Sequence, residues 1–151
     1  MKIYDIENFP NPARVRIALA ELNATDKVEF VAIDVLAGEH KTDSFIEKNP
    51  AGGVPVLELG DGTYIAESSA IIDYLDMSFG GTLTGQTARQ RALISMFQRR
   101  AEFMVLDAIS AYFHHATAGL GPELETYQNK AWGDHQHSKA LDGLHYFENV
   151  L

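Results

Sequence analysis

A proline stands at the entrance to an apolar strand pattern in Asn49-Pro50-Ala51-Gly52-Gly53-Val54-Pro55-Val56-Leu57. Few features restrict a fold more. Proline lacks the N–H that a central strand needs, so it belongs at a first strand position, an edge or a bulge. The strand is therefore expected to be entered at Val54-Pro55 and to run on through Val56–Leu59. Twelve positions beyond Pro55, Glu67-Ser68-Ser69 opens an apolar helix pattern, Ala70-Ile71-Ile72. An acid and two hydroxyls at a helix start are polar groups placed where free backbone N–H groups gather.

The elements around this pair define an α/β order. Lys2–Ile6 reads as a strand, and Asn8-Phe9-Pro10-Asn11-Pro12 as a loop entering a helix, with Asn11 suited to the N-cap and Pro12 to the first helical position. That helix is expected to reach about Leu22 and to bury Val15, Ile17, Ala18 and Leu22. Val28–Ile33 is a second strand, and residues 34–50 a polar connection with a helical turn near Ser44–Glu47. Gly60-Asp61-Gly62 between Val56–Leu59 and Tyr64–Ile65 is a hairpin signal. Ser69–Asp76 is the next helix. The order βαβ then ββα makes the first two strands parallel through a right-handed crossover.

Residues 78–86, rich in glycine and threonine, read as a linker between domains at 1–77 and 87–151. Thr87–Thr117 holds no glycine or proline and is expected to be one helix, roughly 45 Å long at 1.5 Å per residue. Gly119-Leu120-Gly121-Pro122 stops it. A further helix is expected from about Glu123 to the chain end, irregular around Gly133.

Composition removes whole classes of chemistry. The 151 residues contain no cysteine, which excludes disulfides, thiolate metal sites and thiol redox catalysis by the chain itself. The net charge of −9 argues against nucleic acid or an anionic membrane as partner. Residues 1–76 hold 14 acids and 6 bases, residues 77–151 hold 7 acids and 6 bases, so the acidity sits in the first half. An anion can bind there only where backbone N–H groups or a few bases make the potential locally positive. No apolar run is long enough for a transmembrane helix and the start lacks a signal core, so a cytoplasmic protein is expected.

Four places could bind or act. Val54-Pro55 is either an ordinary trans turn or a cis bond that frees the Val54 backbone to pair with an extended peptide. At Glu67-Ser68, the hydroxyl either caps the helix or, with the first-turn N–H groups, holds a carboxylate while Glu67 holds a neighbouring ammonium. His40 and Lys41, in Gly38-Glu39-His40-Lys41 with Phe45 and Asn49-Pro50, are either a solvated loop or a clamp for a terminal carboxylate. Arg14 and Arg16 lie early in a helix with no acid in its first turn, which opposes the helix dipole and invites an anion or a partner carboxylate.

In Thr87–Thr117, Phe103, Asp107, Ser110 and His114 recur at i, i+4, i+7 and i+11, one stripe of a regular helix. A hydrolase triad is rejected, because no Gly-x-Ser-x-Gly turn exposes the serine. Ser110 and His114 either serve packing or together fix a water or meet a ligand sulfur; His115 is the rival imidazole. His135 and His137 are read as solvated, and no metal site is assigned.

Taken together, Pro12-Ala13-Arg14-Val15-Arg16-Ile17-Ala18-Leu19-Ala20-Glu21, Gly38-Glu39-His40-Lys41, Val54-Pro55-Val56-Leu57 and Glu67-Ser68-Ser69-Ala70-Ile71 resemble a cytosolic glutathione transferase. The Tyr112–Thr117 stretch with Gly119–Pro122 is similar to an atypical yeast-type branch lacking the usual catalytic Tyr, Ser or Cys. The resemblance covers the whole chain. It implies a thioredoxin-like N-terminal domain and an all-helical C-terminal one, a homodimer, and detoxification by attack of glutathione thiolate on a hydrophobic electrophile, with glutathione as co-substrate and no cofactor. By the same resemblance Val54 and Pro55 face the cysteinyl backbone, Glu67 and Ser68 the γ-glutamyl end, His40 and Lys41 the glycyl carboxylate, and Asn11 also lies at the site. The N–H groups at the start of the first helix are then expected to hold the thiolate, with Ser110 and His114 as the candidates for catalysis. Family members continue with further helices, so the helical half is expected to be partial. Phe9 stands about where a catalytic serine would fall and cannot bind a thiol, which leaves a non-enzymatic glutathione-binding or protein-interaction module as the alternative.

Overall fold

The computed structural model describes residues 1–151, which divide into two units, Met1–Gln86 and Thr87–Leu151. The first is built on four short strands: β1 (Lys2–Asp5), β2 (Glu29–Ala32), β3 (Val56–Glu58) and β4 (Tyr64–Ala66). Their order is β2-β1-β3-β4. β1 and β2 are parallel, with Ile3 opposite Phe30, and α1 (Pro10–Glu21) forms the crossover. β3 is antiparallel to both β1 and β4, with Leu57 between Ile3 and Ile65. This mixed sheet is thioredoxin-like.

Strand side chains alternate between faces, and the two faces carry separate clusters. Ile3 and Leu57 meet Val15 and Leu19 of α1 and Ile71 and Leu75 of α3 (Ser68–Ser78). On the other face Val56 packs with Ile33, Val35 and Phe45, the last from the short α2 (Asp43–Ile46). Ile3, Leu19, Leu57 and Ile71 are fully buried, which is worth about 1.5–3 kcal/mol for each side chain.

Two expectations for α1 are corrected. The helix starts at Pro10, not Pro12, with Phe9 rather than Asn11 at the N-cap. Its buried side is Pro12, Val15, Ala18 and Leu19, while Ile17 is 62% exposed. Arg16 spans the helix edge. Its guanidinium donates from Nε and Nη2 to the buried Asp5 carboxylate at 2.8 and 3.1 Å and lies 4.0 Å over the Phe30 ring. The base that opposed the helix dipole thus has a carboxylate partner on β1. Tyr4 donates its hydroxyl to Glu58, which with burial pushes its pKa up to about 12. It stays protonated and serves the sheet.

The second unit contains α4 (Ala88–Ala101), α5 (Asp107–Ala116) and α6 (Lys130–Val150). Thr87 and Gln90 form a capping box at the start of α4. The expected single helix is interrupted: Glu102–Leu106 is a π-helical segment between α4 and α5. One extra residue in a turn rotates α5 by about 100° against the register of α4. Phe103 therefore leaves the stripe that Asp107, Ser110 and His114 keep along α5. The expected start of the last helix near Glu123 is also corrected, to Lys130, where the Asn129 side chain accepts the Trp132 N–H at 3.0 Å.

Gly133 is no irregularity. It sits in a continuous helix, where a Cβ would lie 2.6 Å from Ala116 Cβ. A Cβ on Gly143 would lie 2.6 Å from the Met104 carbonyl oxygen in the π segment. The two glycines let α6 approach α5 and the π segment at backbone distance. No helix is long and apolar enough to cross a membrane.

Candidate functional site

The first unit leaves a set of backbone groups without partners inside the protein, and sheet register brings them together. The Val54-Pro55 bond is cis. Val56 pairs with Ala66, so continuing the antiparallel register carries Pro55 to Glu67 and Val54 to Ser68. Neither the N–H nor the C=O of Val54 is bonded to other backbone. They are free to pair with an extended peptide as an added strand would.

Glu67 is the most unusual residue here. It is the N-cap of α3 with φ 66° and ψ 119°, a conformation that costs a non-glycine residue on the order of 1–3 kcal/mol. The side chain is exposed and caps nothing, and no acid lies in the first turn. Ser68 is the first helical residue, so the bland alternative of a capping serine is not what the chain adopts. Its buried hydroxyl makes a long, 3.4 Å hydrogen bond to Asn11 Oδ1 at the start of α1. The N–H groups that begin α3 therefore remain available to a carboxylate.

His40 and Lys41 belong to a 3₁₀ turn, Glu39–Lys41, that folds against the loop before Pro55. Lys41 Nζ donates to the Gly52 carbonyl at 3.0 Å, and Asn49 Nδ2 donates to the Gly53 carbonyl at 2.9 Å. Gly52 has φ +61°, and a Cβ there would meet Lys41 Nζ at 3.0 Å and His40 O at 3.2 Å. Gly52 thus anchors the His40–Lys41 turn and Asn49 the loop before Pro55, and sequence reading passed over Gly52. The glycine pair before a strand proline was its only signal.

The His40 Nδ1 atom is buried with no hydrogen-bond partner. Burial, then the neighbouring Lys41 charge, pushes the imidazole below its ordinary pKa, so it is neutral at pH 7. An orphaned lone pair is tolerated better than an orphaned N–H. Nδ1 is then the unprotonated nitrogen, and Nε2–H is the donor His40 offers.

The start of α1 offers less than expected. Pro10 and Pro12 have no N–H, and Ala13 N–H is bonded to Phe9 O at 3.0 Å. Asn11 alone among the first four helical residues keeps an unbonded N–H, so this end can give a sulfur one helical donor.

Candidates in the helical unit are placed on α5. Ser110 is exposed and makes no hydrogen bond to His114. His114 is instead bonded through Nδ1 to Glu125 Oε1 at 2.7 Å. His115 Nδ1 accepts the Asn129 N–H at 3.2 Å, which gives the rival imidazole a structural task at the start of α6. His137 lies 4.7 Å from the Tyr112 ring and His135 6.0 Å from Trp132, both exposed. Glu125 was not singled out from sequence; nothing in helical periodicity points from an acid in a glycine-flanked loop to a histidine eleven positions earlier.

Known proteins share this sequence pattern and fold. The family model described as glutathione S-transferase, N-terminal domain, matches residues 10–77. Glutathione S-transferase 2 of Saccharomyces cerevisiae is 57% identical over 152 aligned residues, taking in 100% of this chain and 65% of its own length. A glutathione S-transferase domain-containing protein of Marinobacter aquaeolei superimposes with a TM-score of 0.96 at 56% identity, over 99% of this chain and 74% of that one. Gtt2 of Saccharomyces cerevisiae gives 0.94 at 56% identity, over 99% of this chain and 73% of that one. The chain belongs to the glutathione S-transferase family. It spans 65% of the length of the yeast sequence and 41% of a Dianthus caryophyllus glutathione S-transferase 1 that is 44% identical over 94 residues.

Proposed function

We propose that this chain binds glutathione along its N-terminal unit and joins it, through its sulfur, to a hydrophobic electrophile. Val54 pairs with the cysteinyl backbone, the α3 start with Ser68 and Glu67 takes the α-carboxylate and ammonium of the γ-glutamyl end, and His40 with Lys41 takes the glycyl carboxylate. Asn11 links the first helix to that set through Ser68. The chemistry needs the S–H proton removed and the electron pair left on sulfur, which then bonds to the electrophilic carbon as its leaving group departs with the old bonding pair, as chloride does from a chloronitroaromatic. One helical N–H at α1 is a weak anion hole, so the proton acceptor is assigned to His114 with Ser110. Such conjugation is detoxification chemistry, and the family likeness favours a cytoplasmic homodimer.

One observation carries this reading: Glu67 holds a strained backbone at an uncapped helix start. Strain maintained at an exposed residue is explained by a ligand that needs it. Glu67→Gly tests this directly. Glycine accepts φ 66° without penalty, so the variant is expected to be more stable by about 1 kcal/mol and to bind glutathione roughly tenfold more weakly, from one charge-assisted bond lost. Titration calorimetry and urea unfolding measure both. Glutathione binding that is absent from the unaltered chain, or untouched by the substitution, would sink the proposal. Phe9 at the α1 N-cap favours a second reading, a module that binds glutathione without turnover. Conjugation of a chloronitroaromatic by the purified chain separates the two.

A further inference from the structure

Residues 117–129, between α5 and α6, have no regular secondary structure yet are folded around one carboxylate. Glu125 Oε1 accepts the Leu120 N–H at 2.8 Å and meets His114 Nδ1 at 2.7 Å. The Glu125 side chain is only 10% exposed. Gln128 Nε2 donates to the carbonyls of His114 and Thr117, at 2.8 Å each, and so ties the loop back to the end of α5. Gly119 passes so near that a Cβ would lie 2.1 Å from Glu125 Oε1.

Burial opposes ionisation of Glu125, but the Leu120 N–H, the His114 hydrogen bond and the charges of His114 and His115 together hold its pKa below the ordinary value. At neutral pH it is a carboxylate, which can only accept. The proton in its bond to His114 therefore sits on Nδ1. That leaves the lone pair of the neutral ring on Nε2, which makes no hydrogen bond in the chain, on a side chain 40% exposed.

We propose that Glu125 is a positioning residue that fixes the tautomer and orientation of His114, leaving Nε2 as the one ring atom able to take up a proton. The inference rests on the proposed role of His114 as proton acceptor. A proton taken up at Nε2 leaves Nδ1–H on Glu125, so the pair keeps its hydrogen bond. The other titratable group near the pair is His115, whose Nδ1 is occupied by the Asn129 N–H.

The first test needs no variant. Long-range proton–nitrogen NMR of the unaltered chain is expected to show His114 with Nδ1 protonated and Nε2 bare; an Nε2–H tautomer overturns the proposal. Glu125→Gln keeps the shape and removes the charge. It is expected to mix the tautomers and to lower kcat roughly 10- to 100-fold with the KM for glutathione unchanged. Placed on His114→Ala, the same substitution is expected to cost nothing more, whereas a further loss would make Glu125 a loop brace and overturn the proposal. The two readings fail differently. Unchanged kcat in Glu125→Gln, beside a low kcat in His114→Ala, removes Glu125 alone. Unchanged kcat in His114→Ala removes both.

Discussion

Two carboxylates, the buried Asp76 and the partly buried Glu125, gather a loop, one in each unit, and they do it by the same device. Asp76, near the end of α3, accepts the Leu83 and Thr84 N–H groups at 3.0 and 2.9 Å and the Thr84 hydroxyl at 2.7 Å. Glu125 gathers residues 117–129. Each has a glycine so near that a Cβ would stand 2.1 Å from the carboxylate, Gly81 for Asp76 and Gly119 for Glu125. The difference lies in where the hydrogen bonds end. Three bonds on Asp76 end on the backbone and a buried hydroxyl of its own turn. One bond on Glu125 ends on an imidazole whose far nitrogen is open. The same loop-folding carboxylate is a structural knot in one unit and a hydrogen-bond partner of a histidine in the other.

The largest effect expected from this contrast is on stability. Asp76→Ala strands two backbone donors and a hydroxyl at a residue 2% exposed, and is expected to cost about 3 kcal/mol. Hydrogen exchange at the Leu83 and Thr84 amides should speed up accordingly. Glu125→Ala strands one backbone donor, that of Leu120, and is expected to cost about 1 kcal/mol. Trp132, the only tryptophan, lies in the same unit and reports its unfolding. Equal costs for the two substitutions would break the contrast.

The glycines sharpen it. At Gly81 a Cβ would meet Leu22 Cδ2 at 2.2 Å as well as the Asp76 carboxylate, itself held by three donors. Gly81→Ala is thus expected to cost about 2–3 kcal/mol and to leave catalysis alone. At Gly119 the obstacle is the end of one flexible side chain, and φ is +53°. Gly119→Ala is expected to cost less, about 1–2 kcal/mol, but to push Glu125 off His114. Paired urea unfolding and kcat measurements should show the two effects in opposite order.

Legibility in the sequence divides along the same line. Pro55 and the Glu67-Ser68 helix start announce themselves because a missing N–H and a helix terminus are local backbone facts. The parallel pairing of β1 and β2 followed from the βαβ order of strands of ordinary composition. The α1 start slipped by two residues because prolines at 10 and 12 both fit a first turn that needs no N–H, and only the extended backbone of Phe9 decides between them. The π segment left no mark, having neither glycine nor proline inside it; its counterpart is Gly143, some forty residues away in sequence. The start of α6 was misplaced for the reason that matters most: Glu125, which suits a helix, is drawn out of one by Leu120 and His114. A side-chain bond across a loop carries no periodicity.

The smallest expected effect is a pH dependence that belongs to Glu125. Its folded pKa lies below the ordinary glutamate value of 4.5. Between the folded value and 4.5 the unfolded chain binds the proton more readily, so stability falls as pH falls. The contribution is whole above 4.5 and is lost as pH drops through the folded value. Glu125→Gln has no such proton to take up. The difference in stability between the two proteins, followed by Trp132 fluorescence in urea, should shrink as pH falls below 4.5, with a slope no steeper than one proton, about 1.36 kcal/mol per pH unit. Parallel acid limbs would mean that the folded loop does not favour the ionised carboxylate. Glu125 could then share its proton with His114 in either direction, and the Nε2 lone pair would lose the group that assigns it.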